Sequence, residues 1–191
     1  LALLGDAFAA SDRESAAIPV YIRSYQTATT DEVMNYSVFA ASKLLQKQGE
    51  WDKVAELFSS VLKDKPDNPM VISALYWIGK AKAHQGKIDE AKQLAADTIK
   101  KFIADRTRDA VEQLITQLAQ LCLRKRPVIT EHSDPSSTKT SVLAESTNPA
   151  TELDRLLACS ANKDSATAKA RILFAKGELA RLRRQPEEEE R

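Results

Sequence analysis

The sequence contains few of the residues that build metal sites, disulfide frameworks and phosphate-binding loops. Its 191 residues include two cysteines, two histidines and five glycines. Two cysteines are too few for a disulfide framework, and no cysteine or histidine has a second ligand at metal-binding spacing. The glycines lack the Gly-x-Gly-x-x-Gly or Gly-Lys-Ser/Thr context that holds a phosphate. The sequence therefore predicts neither a metal nor a cofactor.

The chain also lacks a strong net charge and long apolar runs. A net charge of +1 argues against nucleic-acid binding, which needs a concentrated basic stripe. Basic clusters occur at 124–126 and 181–184, where they suit the negative ends of predicted helices; a phosphate-binding role is the alternative. No stretch reaches the roughly 18–20 apolar residues that span a bilayer. We therefore expect no nucleic-acid partner and no direct membrane insertion.

Helices are the secondary structure that the sequence favours throughout. Apolar residues recur at spacings of three and four, and no run alternates long enough to indicate a strand. The clearest examples are Val71, Ala74, Leu75, Ile78 and Ala81, and later Val111, Leu114, Ile115, Leu118 and Cys122. Prolines fall at predicted joints, notably Pro66, Pro69, Pro127 and Pro149. Pro19 is the exception, because it lies inside a predicted helix, which must begin late or bend there.

A repeat of 37 residues runs through the first part of the chain. Gly5, Ser42 and Gly79 form one column of small residues, which predicts close crossings between helices. Asp12, Gly49 and Gly86 form a second column seven residues later, which predicts a tight turn because glycine, and to a lesser degree aspartate, adopts positive φ. The larger columns are Leu4/Ala41/Ile78, Phe8/Leu45/Lys82, Glu14/Trp51/Ile88, Ala17/Val54/Ala91 and Tyr21/Phe58/Ala95. The fold class is therefore all-α, with stacked antiparallel helix pairs.

The repeat resembles the tetratricopeptide repeat (TPR). The best stretches are Ile78-Gly79 with 86–91, and 49–54 with Phe58 and Pro66. The resemblance implies a right-handed superhelix, an α-solenoid that binds proteins. The family period is usually 34, and the surplus of about three residues falls around Pro66–Pro69. Longer spacing of this kind is similar to bacterial envelope proteins of the family, which implies a periplasmic or cell-envelope location.

The amino-acid composition along the sequence divides the chain into three regions. Residues 1–126 form the repeat array, and residues 127–149 are a Ser/Thr/Pro-rich linker or binding loop. Residues 150–191 predict a second helical unit that resembles the start of a further repeat. Its last helix places Ala168, Ile172, Ala175, Leu179 and Leu182 on one face. Because the chain opens in the middle of a repeat and closes where the second helix of another hairpin should begin, we expect a fragment of a larger protein.

The resemblance also implies where a partner would bind. In the family, the first helix of each hairpin lines a concave groove. The corresponding positions here are Tyr36, Phe39, Lys43, Gln46 and Lys47 in one repeat, and Ser73, Tyr76, Lys80 and His84 in the next. Aromatic and cationic rows would hold a peptide with acidic groups. The alternative interpretation is that the aromatic rings pack on neighbouring helices and the lysines only solvate a face.

We predict a noncatalytic scaffold for protein–protein interaction. Two other functions stay open: self-association through exposed ends of the array, and an accessory helical region of a larger enzyme. No nucleophile, base and orienting group share a predicted face, so the chain is not expected to be an enzyme. Cys122 and Cys159 are expected to be buried apolar residues, with a single disulfide as the alternative.

Overall fold

Helices account for nearly all of the chain that the computed structural model describes, namely residues 1–104, 110–123 and 165–184. No strand occurs in these ranges, so the all-α prediction is confirmed. The eight helices described are α1 (Ala2–Ala10), α2 (Glu14–Thr27), α3 (Asp31–Lys47), α4 (Trp51–Asp64), α5 (Val71–His84), α6 (Ile88–Phe102), α7 (Ala110–Leu123) and α8 (Ala166–Arg184). Each packs on its neighbour in this order, which gives a helical repeat arrangement.

The turns inside the first three hairpins share one geometry. Asp12, Gly49 and Gly86 have φ values of 56°, 73° and 78°, so the predicted turn column is confirmed. In each turn the next residue donates its N–H to the carbonyl five residues back, which is the Schellman pattern that ends a helix. These bonds are Arg13 N to Phe8 O (3.0 Å), Glu50 N to Leu45 O (2.9 Å) and Lys87 N to Lys82 O (2.9 Å).

The core follows the repeat columns. Ala17, Val54 and Ala91 are fully buried, one in the second helix of each hairpin. The next column is buried as well, although its residues differ greatly in size: Tyr21, Phe58 and Ala95. One hairpin cannot bury both faces of its apolar helices, so each depends on the next hairpin along the array.

The joints between hairpins reach the same 37-residue period in different ways. Helix α3 begins at Asp31, after Thr30, whose Oγ1 accepts from the N–H of Val33 at 3.4 Å. Helix α5 begins only at Val71, three residues later in the repeat. Before it, Oδ1 of buried Asn68 accepts from the N–H of Met70 at 2.7 Å. The surplus residues therefore extend α3 in one repeat and form a proline-flanked turn in the next.

Pro19 lies inside α2, and of the two expected alternatives, a late start or a bend, the late start does not occur. Helix α2 begins at Glu14 and continues to Thr27. Proline removes one intrahelical hydrogen bond and usually costs about 3 kcal/mol in a helix interior. Tyr21 and Tyr25 bury their rings on the opposite side of the helix from exposed Pro19, and this burial stabilises the helix despite the proline.

The last described helix docks on the end of the array. Helix α8 packs against α7, and its predicted apolar face enters the same core as Leu114 and Leu118. Arg171, which is 5% exposed, donates from Nη1 to the carbonyl oxygen of Ile103 at 3.0 Å. The predicted linker 127–149, the helix predicted at 150–160, and Cys159 lie outside the described residues. Cys122 is buried, as predicted.

Candidate functional site

The predicted binding positions on α3 lie on its outer side. Tyr36 is 51% exposed and Phe39 is 38% exposed, and Lys43 is exposed one turn further along. Gln46 is turned back onto its own helix, where Nε2 donates to Oγ of Ser42 at 2.8 Å. Helix α3 therefore presents two large rings and, beside them, Lys43 to solvent.

The predicted positions on α5 are more enclosed. Tyr76 is partly buried against the core of α6 and α7, and Ser73 is partly buried as well. Burial raises the pKa of the Tyr76 hydroxyl, so this ring stays neutral at ordinary pH. Lys80 places Nζ over the ring of Trp77, 4.8 Å from its centroid. The α5 positions thus combine aromatic rings with a cation held against one of them.

A chain of four rings joins the predicted aromatic positions. Phe39 meets Phe58 edge-on at 5.8 Å, Phe58 lies parallel to Trp77 at 6.2 Å, and Trp77 meets Tyr76 edge-on at 5.2 Å between centroids. Phe58 in the middle is fully buried, whereas Phe39 reaches solvent. The rings therefore pack on neighbouring helices, and Phe39 still reaches solvent. Binding of a partner by these rings stays a prediction.

Lys43 and Lys80 form the cationic part of the surface. They occupy the same position in successive repeats. Lys43 makes no ion pair or hydrogen bond within the described part of the chain, so its ammonium group is available to a partner. We call Phe39, Tyr76, Trp77, Lys43 and Lys80 the aromatic–lysine surface.

The last two predicted positions, Lys47 and His84, make equivalent contacts between hairpins. Nζ of Lys47 lies 2.6 Å from Oε1 of Glu14, the first residue of α2. The ring of His84 stacks on Trp51, the first residue of α4, with 3.7 Å between centroids. One repeat further, Ile88 packs on a cluster that contains Leu121. These side chains hold each hairpin to the next, and the same position uses an ion pair, stacked rings and aliphatic packing in turn.

Asp6 fixes the first hairpin to the second. Its Oδ1 accepts from the Tyr21 hydroxyl at 2.6 Å and from the Tyr36 hydroxyl at 2.5 Å. These two hydrogen bonds stabilise the carboxylate and hold the pKa of Asp6 below its ordinary value of 3.8. Asp6 precedes Lys43 by 37 residues, so the lysine column begins with an acid. The positive charge of this column is therefore confined to α3 and α5.

The lowered pKa of Asp6 predicts a pH-dependent attachment of α1. A folded-state pKa below 3.8 means that the carboxylate stabilises the fold above that pH, and that the contribution is lost as the pH falls through the folded value. Because the group is partly exposed, we expect Asp6→Asn to cost about 1 kcal/mol or less at pH 7. Urea unfolding of both proteins at pH 7 and pH 3 should show that the difference shrinks at low pH. The control is Asp67→Asn, at an exposed carboxylate; a difference for Asp6→Asn that stays constant would contradict the assignment.

Sequence reasoning missed Trp77 and Asp6. Trp77 follows Tyr76, but its partner in the column is Ala40, so the repeat gave no sign that the position matters. Asp6 could have been found, because it stands in the column of Lys43 and Lys80. The sequence could not show that two tyrosines from different helices bind it.

The exposed leucines of α1 are a second feature of the surface. Leu1, Leu3 and Leu4 are 54%, 83% and 47% exposed. Val38 and Ala41, 37 residues after Leu1 and Leu4, are fully buried. Self-association through this face stays a prediction.

The described ranges contain neither a group of metal ligands nor a membrane-spanning helix. No three His, Cys, Asp or Glu side chains there come together as metal ligands. None of the helices in these ranges is both long enough and apolar enough to cross a bilayer. Comparison with protein-family models, with curated proteins and with solved structures gives no match to this chain.

Proposed function

We propose that the array is a noncatalytic scaffold that binds an acidic segment of a partner protein on the aromatic–lysine surface. The observation that carries the proposal is Phe39, exposed beside Lys43 and backed by three further rings. A ring already fixed by packing loses little conformational entropy on binding, and aromatic side chains supply much of the apolar area at protein interfaces. The position of this surface on α3 and α5 is the one that TPR arrays use.

The charges favour a partner with acidic groups. Lys43 and Lys80 repeat at the same position and would attract carboxylates, while Asp6 at the preceding position would repel them. Lys80 already lies over Trp77, so a carboxylate bound there would meet a cation whose position is set. The segment would therefore place apolar side chains on Phe39 and Tyr76, and acidic side chains over the two lysines.

Charge reversal at the two lysines tests the proposal. A displayed library of 12-residue peptides first supplies a binder, whose affinity is then measured by calorimetric titration. We expect the double variant Lys43→Glu/Lys80→Glu to weaken that affinity about tenfold, since it replaces attraction by repulsion. The unfolding midpoint should change little, because Lys43 is exposed and makes no bond within the described ranges, and the contact of Lys80 with the Trp77 ring is worth about 0.5–1 kcal/mol.

The chain offers a matched control for this experiment. Lys63 and Lys100 are also 37 residues apart, and both are exposed on second helices. Lys63→Glu/Lys100→Glu makes the same change in net charge away from the surface. Equal loss of affinity in both double variants would show that the effect comes from net charge alone. Unchanged affinity in the Lys43/Lys80 variant would show that the proposed surface is wrong.

A further inference from the structure

A pocket of about 360 Å³ lies between α2 and α4, the second helices of the first two hairpins. Its apolar lining comes from three helices: Ile18 and Ile22 of α2, Leu45 of α3 and Leu57 of α4. Leu45 and Leu57 are almost fully buried, so they form the floor. A volume of this size falls in the range of small-molecule sites, which are also mainly apolar. None of these residues belongs to the aromatic–lysine surface, so the pocket is independent of the proposed function.

The corresponding place in the next repeat carries a different pair of residues. There the position of Leu45 is taken by Lys82, and that of Lys53 by Glu90. Nζ of Lys82 lies 2.6 Å from Oε2 of Glu90, so an ion pair spans the gap between α5 and α6. In the second hairpin Leu45 is shorter and apolar, and Lys53 instead pairs with Glu50 at 3.2 Å. The lining of the pocket therefore differs in chemistry from the corresponding place one repeat later.

One end of the pocket is polar, and the exposed carboxylates of Asp64 and Glu56 there accept hydrogen bonds. The Tyr25 hydroxyl donates to Oδ2 of Asp64 at 2.6 Å, and the Ser60 hydroxyl donates to the carbonyl oxygen of Glu56 at 3.1 Å. Both hydroxyl protons are therefore committed. Burial and the bond to Asp64 raise the pKa of Tyr25, which keeps the ring neutral. Gln26 and Lys53 supply the donors of the lining, whereas the carboxylates of Asp64 and Glu56 can only accept. The place beside Asp64 therefore suits a ligand that donates.

The backbone adds to the negative potential at this end. Tyr25 stands in the last turn of α2, and Asp64 is the last residue of α4. The Tyr25–Asp64 hydrogen bond brings the two helix C-termini together, and each carries a partial negative charge. Lys53 also lines the pocket and carries the opposite charge, but its ammonium group is exposed and pairs with Glu50. A cation bound beside Asp64 would be stabilised by a carboxylate and by two helix ends.

We propose that this pocket binds a small organic ammonium ion that has an apolar body. The apolar body lies between Ile18, Ile22 and Leu57, and the ammonium group donates to Asp64. An anion of the same shape is rejected, because Asp64 and Glu56 repel it. A neutral analogue keeps the apolar contact and loses the charge-assisted hydrogen bond, which is roughly twice as strong as a neutral one.

Three probes of equal shape test the proposal: 4-phenylbutylammonium, 4-phenylbutanol and 4-phenylbutyrate. Methyl resonances of Ile18, Ile22, Leu45 and Leu57 are followed by NMR during titration of the whole chain. We expect the ammonium ion to shift them with a dissociation constant on the order of 1 mM, as is usual for a ligand of this size. The alcohol and the carboxylate should bind at least about tenfold more weakly.

Two variants separate the charge from the cavity. Asp64→Asn should bring the affinity for the ammonium ion close to that for the alcohol, whereas Asp67→Asn, in the turn beyond α4, should leave it unchanged. Ser60→Phe should block all three probes, since Ser60 lines the pocket and is exposed on α4. The methyl spectrum without ligand shows whether each variant is folded.

The outcomes decide the proposal directly. Shifts at these methyl groups that prefer the ammonium ion and lose that preference in Asp64→Asn support it. Equal affinity for the three probes, or a preference that survives Asp64→Asn, overturns the assignment of the cation. Absence of shifts at 10 mM ammonium ion in the folded wild-type protein would mean that the pocket is not a binding site.

Discussion

Replacing Phe58 by alanine is expected to lower the free energy of unfolding by about 3–5 kcal/mol, the usual cost of deleting a buried aromatic ring. Phe58 is fully buried and is the central ring between Phe39 and Trp77. Its loss removes the ring that links Phe39 of α3 to Trp77 of α5. It also leaves a cavity, because the surrounding helices cannot easily move together to fill it. Urea unfolding followed by circular dichroism measures the change.

Phe39 provides the matched control for Phe58. It belongs to the same ring chain but is 38% exposed, so Phe39→Ala should cost about 1 kcal/mol or less. Phe58→Leu retains most of the buried volume and should fall between the two. A cost for Phe58→Ala no larger than that for Phe39→Ala would show that the core has relaxed around the missing ring, and the ring chain would then not organise this part of the array.

The parts of the fold that were predictable from sequence are those that depend on one backbone conformation at a repeated position. Asp12 differs in chemistry from Gly49 and Gly86 but shares their ability to adopt positive φ, and all three do so. The buried column of Ala17, Val54 and Ala91 was visible for a similar reason, since burial at a repeated position selects apolar residues. Local constraints of this kind can therefore be recognised in the sequence of every repeat.

The side-chain contacts were harder to predict, because they join different columns. Phe58 belongs to the repeat column of Tyr21 and Ala95, and Phe39 is a predicted groove position. The sequence at neither position indicates that the two rings meet. The contact of Lys47 with Glu14 and that of His84 with Trp51 are equivalent in space, but one is an ion pair and the other a ring stack. A repeat preserves the position of a contact while its chemistry changes.

The pocket between α2 and α4 shows the same limit more strongly. The column of Phe8, Leu45 and Lys82 was visible in the sequence, and the change from leucine to lysine could be read there. Whether that change opens a cavity depends on the distance between two second helices and on the direction of Lys53. Those quantities are set by packing over the whole hairpin, so only the three-dimensional structure shows them.

Replacing Gly5 by alanine is expected to destabilise the first hairpin by about 1–3 kcal/mol, although alanine is the better helix former. A Cβ at Gly5 would lie 2.6–2.9 Å from three ring atoms of Tyr21, which is closer than real contacts allow. The ring cannot simply move aside, because its hydroxyl is bound to Asp6. Hydrogen exchange measured along the chain should show faster exchange in α1 and little change in α5 and α6, since stability in a repeat array is set by neighbours.

Two other glycines isolate this steric effect from helix propensity. Gly79 occupies the same column, but a Cβ there would meet Oε1 of the Gln117 side chain at 3.3 Å, a contact that a small adjustment relieves. Gly177 has open space around it in α8, so Gly177→Ala should stabilise the protein by about 0.5–1 kcal/mol. We therefore expect the three alanine variants to range from destabilising at Gly5, through nearly neutral at Gly79, to stabilising at Gly177. If Gly5→Ala also stabilised the protein, the close approach of α1 to Tyr21 would be wrong, and the small-residue column would have no packing role in the first hairpin.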